Sequence, residues 1–95
     1  MRQAARIDDN QPALVSALRS MGCSVQILAA VGKGCPDLLV GWRGVNYLLE
    51  VKDPSKPPSK RRLTEDQVKW RNDWNGQAAT IETLDDALEA MGVTE

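Results

Sequence analysis

Asp37, Glu50 and Lys52 are the residues of this sequence best equipped for chemistry. Asp37 follows Pro36, and twelve residues separate it from Glu50-Val51-Lys52. In an extended strand side chains alternate faces, so Glu50 and Lys52 point one way and Val51 points the other, into a core. Asp37 opens the preceding strand, and the Arg43-Gly44 turn folds the two strands into a hairpin. Two carboxylates and an ammonium therefore converge at one end of that hairpin. Burying three charges in a small core is costly unless something compensates. A divalent cation held by Asp37 and Glu50, with the Val51 carbonyl as a further oxygen ligand, would compensate. Such a cation acidifies water and neutralises charge on a phosphate. Lys52 is then placed to orient the attacking water or to meet developing charge. Phosphodiester hydrolysis is the chemistry that fits.

Composition narrows the alternatives. The sequence has 95 residues, the size of one domain, so residues 1–95 read as a single unit. So short a chain buries only roughly 60–65% of its unfolded surface, and pairing with a second copy would help it. There is no histidine, which removes imidazole catalysis and imidazole-dependent zinc sites. Any metal must be held by carboxylate and carbonyl oxygens, which points to Mg²⁺ or Mn²⁺. Cys23 and Cys35 are too few for a disulfide framework and read as inert thiols. No apolar run approaches the ~20 residues of a membrane span, and the first residues lack the apolar core of a signal peptide. A cytoplasmic protein is the expectation.

Net charge is −1, but its distribution matters more to a polyanion than its total. Residues 82–95 hold five acids and no base, which leaves residues 1–81 at +4. The stretch 52–62 alone holds five of the 12 bases.

The elements that must position these residues follow from pattern. Asp8 and Gln11 read as a capping box with Pro12 in the first turn, opening a helix over about 8–21 that Gly22 ends. Strands are predicted over 24–30, 37–42 and 45–52, the last a buried, central one. The three prolines and two serines of 53–62 predict an exposed loop with no helix or strand. Thr64 and Gln67 form a second capping box, opening a helix to about 75. A short strand over 78–82 and an acidic, solvated helix over 83–91 complete the chain. The expected class is α/β: a small mixed β-sheet flanked by helices, in the order α-β-β-β-α-β-α.

Pro36-Asp37 with Glu50-Val51-Lys52 resembles the PD-(D/E)XK nuclease motif. The stretch 32–41 (GKGCPDLLVG), with Leu48-Leu49-Glu50-Val51-Lys52 and then Leu63-Thr64-Glu65-Asp66-Gln67 ahead of Trp70, resembles the VRR-NUC branch over about residues 6–82. The resemblance implies a restriction-endonuclease-like core, Mg²⁺ or Mn²⁺ dependence, a homodimer, and cleavage of branched DNA such as flaps or Holliday junctions. Stand-alone members of the branch occur in phages and prophages, which implies a bacterial host cytoplasm. It also implies that Gln67 leans toward the site to support Lys52 or the scissile phosphate, beside its role as a cap. Such nucleases often carry a further acid on the first helix, and here no acid lies between Asn10 and Met21. Asn10, Asp8 or Asp9 stands as the substitute.

Further DNA contacts are expected from Lys56, Lys60, Arg61 and Arg62 in the basic loop, and from Lys33, which is also readable as a plain turn charge. Trp70 and Trp74 read as core or dimer packing ahead of base stacking. The leading reading is a metal-dependent, structure-specific DNA endonuclease that cuts one strand per subunit. Two others stand behind it: a junction-binding accessory protein without catalysis, and a nuclease of ordinary duplex DNA.

Overall fold

The computed structural model describes residues 7–93. Its elements are α1 (Gln11–Ser20), β1 (Ser24–Ile27), β2 (Leu38–Trp42), β3 (Val45–Val51), α2 (Pro58–Arg61), α3 (Glu65–Asp73), β4 (Ala79–Ile81) and α4 (Leu84–Ala90). The strands form one mixed sheet in the order β1-β2-β3-β4, antiparallel except for the parallel β3–β4 pair. This is the expected small α/β sheet flanked by helices, with β3 in the interior of the sheet. Arg43 and Gly44 both have positive φ, as a two-residue hairpin turn requires, and Arg43 stacks on the Trp42 ring at 5.0 Å.

Alternation sorts the sheet into two faces. Leu38, Val40, Leu49, Val51 and Ile81 pack against Leu14, Val15 and Leu18 of α1 and Ala87 of α4, forming the buried core. Glu50, and with it Lys52, points to the opposite face, where α3 lies. None of the residues of α3 is buried. Among the described residues no helix is long and apolar enough to cross a membrane.

Three expectations need correction. The Asp8–Gln11 capping box does not form. Asn10 is the N-cap, in helical conformation, and its side chain makes no cap bond. Its Nδ2 instead donates to the backbone carbonyls of Lys52 (3.0 Å) and Glu82 (3.1 Å), so a long-range anchor replaces the local cap. The loop 53–62 is not free of helix: Pro57 and Pro58 start the single turn α2, since proline is tolerated where no helical N–H is needed. Trp70 and Trp74 lie outside the core of this chain. They stack on each other at 4.8 Å along α3, and Trp74 is exposed.

β1 ends at Ile27, three residues short of the expected 30, because the chain turns at Leu28–Val31, and the remaining element ends differ by up to three residues. At α4 a capping box the sequence reading missed is present: Thr83 accepts from the Asp86 amide, and Asp86 accepts from Thr83 and Glu82.

Candidate active site

The hairpin register brings the two acids face to face. Leu38 pairs with Leu49, so Asp37 lies opposite Glu50 one step beyond the end of the ladder, and Pro36 opposite Val51. Like charges directly opposed across strands repel. Glu50 is 3% exposed, and burial, with the adjacent Asp37 carboxyl, pushes its pKa up to about 8.

Each partner of the pair is held. Asp37 Oδ2 accepts from the Val51 amide at 2.8 Å. Gln67 Nε2 donates to Glu50 Oε2 at 2.9 Å, and Gln67 Oε1 accepts from Lys52 Nζ at 2.8 Å. Lys52 Nζ lies 3.8 Å from Glu50 Oε2, and both side chains are buried. Gln67 also completes its capping box, its Oε1 accepting from the Thr64 amide while its own amide donates to Thr64 Oγ1. One carboxamide thus makes both the cap contact and the contacts with Lys52 and Glu50.

The helix that presents Gln67 is seated by the turn before Pro36. Gly34 has φ +81, and a Cβ there would meet the Asp66 carbonyl oxygen at 2.2 Å. Only glycine permits that approach.

The donor set suits a hard divalent cation. Asp37 and Glu50 supply carboxylates. The Val51 N–H and C=O point to the same side of the strand, toward the Asp37 side, where Pro36 has no N–H to offer the carbonyl. Among the described residues no three Cys, Asp or Glu side chains converge, so further ligands would be backbone oxygen and water. A cation between the two acids would offset their mutual repulsion.

The first-helix alternatives are distinguished by position. Asp8 is half-buried, and burial raises its pKa while Lys52 lowers it and Asp37 raises it, which sets Asp8 in the field of the cluster. Asp9 faces solvent and lies 4.0 Å from Lys56. Asn10 has both its donor contacts on backbone carbonyls, and its buried Oδ1 has no hydrogen-bond partner among the described residues.

The basic residues divide likewise. Lys33, Lys56, Lys60 and Arg62 are exposed. Arg61 is half-buried and ion-paired with Glu82 at 3.6 Å. The loop start is pinned by Asp53, whose carboxyl accepts from the Ser55 hydroxyl and amide, which hold its pKa below the usual range. Burial raises the pKa of Cys23 and Cys35, and the Glu50 and Asp37 carboxyls add to it at Cys35, so both remain protonated and poor nucleophiles. Arg71, four residues beyond Gln67 on the same face of α3, was missed. The i, i+4 spacing from Gln67 is the signal that would have found it.

No protein-family model matches the sequence, and no curated protein matches it. A solved structure described as a VRR_NUC domain is similar in fold, with a TM-score of 0.61 and 22% identity over 90% of this chain and 92% of that one. The likeness establishes a shared fold.

Proposed function

We propose that this protein is a metal-dependent structure-specific DNA endonuclease of the VRR-NUC type, hydrolysing phosphodiester bonds in branched DNA. The observation that carries the reading is the part-buried cluster in which Gln67 bridges Glu50 and Lys52 beside Asp37. Two opposed carboxyls beside a buried lysine are a poor way to hold so small a fold together. They are a standing electrostatic cost, of the kind functional sites carry. The shared fold with a VRR_NUC domain agrees with it.

Asp37, Glu50 and the Val51 carbonyl would hold Mg²⁺ or Mn²⁺, with Asp8 as the first-helix acid nearest to them. When bound, the ion would lower the pKa of water and neutralise phosphate charge. Lys52 donates toward the attacking water oxygen and steadies charge as it builds. Gln67 keeps Lys52 and Glu50 in register so that neither must reorganise during the reaction. The water oxygen bonds to phosphorus and gives up a proton to bulk solvent, one P–O ester bond breaks in line, and the departing oxygen takes up a proton from solvent. Lys33, Lys56, Lys60 and Arg62 contact backbone phosphates on either side. Residues 1–95 act as one nuclease domain. A homodimer would present two such sites to the two symmetric strands of a junction.

The test is a cleavage panel of four-way junction, flap, splayed-arm and linear duplex DNA with Mg²⁺ or Mn²⁺. Branched DNA should be cut and Lys52→Ala should not cut it. Junction binding in EDTA with no cleavage in any divalent metal would move the reading to a non-catalytic accessory protein, and preferential cutting of linear duplex would move it to an ordinary duplex nuclease.

A further inference from the structure

Arg71 is a cation beside the cluster that neither the hairpin motif nor the basic loop accounts for. Its Nη2 donates to Thr80 Oγ1 at 3.2 Å, and Thr80 is the register partner of Glu50 in the parallel β3–β4 pair. Register partners present their side chains to the same face, so the guanidinium is held one strand over from Glu50. Arg71 Nε is buried and has no hydrogen-bond partner among the described residues. That nitrogen is closed to a ligand, but the terminal Nη1 makes no hydrogen bond among the described residues and is left for one. Lys52 differs: its ammonium already donates to Gln67. A guanidinium fork anchored through Nη2 still offers other N–H groups in one plane, the geometry that fits a phosphate.

We infer that Arg71 grips the phosphodiester being cleaved, donating from Nη1 to a non-bridging oxygen while Thr80 holds the guanidinium in place. The inference rests on the nuclease reading. In the hydrolysis written above, negative charge grows on the non-bridging oxygens as the water oxygen bonds to phosphorus and the ester bond breaks. A donor already fixed beside them stabilises that charge without reorganisation. Arg71 is then a catalytic residue and Thr80 a positioning one.

The experiment compares the unsubstituted protein with Arg71→Gln, Arg71→Lys and Thr80→Val on the branched DNA it cuts. Arg71→Gln should lower kcat about 10²-fold with an unchanged melting temperature, and Arg71→Lys should recover about tenfold of that. Thr80→Val should cost only a few-fold in kcat. On the cleavage-blocked Lys52→Ala background, an uncharged methylphosphonate at the mapped scissile linkage should weaken binding about tenfold, and adding Arg71→Gln should erase that difference. An equal methylphosphonate penalty with and without Arg71, or a loss in Arg71→Gln that follows the melting temperature and leaves kcat per folded molecule intact, overturns the assignment. Should Arg71→Gln fail to fold, Arg71→Lys carries the same comparison. No cleavage of any DNA by the unsubstituted protein would overturn the nuclease reading itself, which is a separate result from equal cleavage with and without Arg71.

Discussion

The two faces of the sheet are built on opposite terms. Toward α1 and α4 the contacts are apolar and closed, centred on Leu18, Leu38, Leu49 and Val51, each with no exposed surface. Toward α3 the contacts are polar: Gln67 to Glu50 and Lys52, and Arg71 to Thr80, with the Asp66 backbone against Gly34. The helix on that side buries none of its residues. One face supplies the stability that lets the other hold opposed carboxyls and a buried ammonium, groups that would not assemble in a marginal fold on their own. Substitutions on the first face should therefore read out as stability, and those on the second as activity.

The sharpest break of that division is Lys52→Ala. Cleavage of a junction with Mn²⁺ should fall by about 10³-fold or more, equivalent to about 4 kcal/mol of barrier, with little change in melting temperature. A large stability loss instead would make Lys52 a structural residue. Leu18→Ala, on the apolar face, should destabilise by about 3 kcal/mol in denaturant titrations, while cleavage per folded molecule at low temperature stays unchanged. Loss of turnover in that folded variant would show the faces to be coupled.

Glu50→Gln sharpens the comparison through pH. The folded pKa of Glu50, about 8, lies above its ordinary value of 4.5, so folding favours the protonated acid. That contribution is fully present below about pH 4.5 and is lost as pH rises through about 8. The metal-free protein should melt at progressively lower temperature across that window, Glu50→Gln should flatten the slope, and added Mn²⁺ should restore stability at the alkaline end with release of a proton. A slope unchanged in Glu50→Gln would place the titration elsewhere. The smallest effect is expected from Thr64→Ala, which removes one half of a capping box. It should cost about 1 kcal/mol of stability and reduce turnover several-fold by slackening Gln67. Unaltered turnover would separate cap from site.

What was legible in the sequence was local or periodic. Glu50, Val51 and Lys52 alternate, so their faces follow from strand geometry. Thr64 and Gln67 are three residues apart, so their box follows from helix geometry. Arg43-Gly44 announces the hairpin by turn chemistry. What was not legible depends on partners far along the chain. Asn10 gives up a local cap for carbonyls 42 and 72 residues away. Arg71 matters only because Thr80 and Glu50 come into register, and Trp70 and Trp74 look like core until the sheet turns its apolar side to other helices. Asp8 and Asp9 are equivalent as sequence, and the fold sets one toward Lys52 and the other toward solvent.

The carboxamide of Gln67 ties a folding event to a chemical one. The first turn of α3 cannot fray without letting go of Thr64, and the same motion releases Lys52 and Glu50. Readiness for reaction is then a local opening equilibrium, visible without substrate. Amide-hydrogen exchange at the Thr64 and Gln67 positions should slow and quicken together with the fraction of molecules whose lysine is in place, so that one helical turn serves as a gauge of how much of the population is armed.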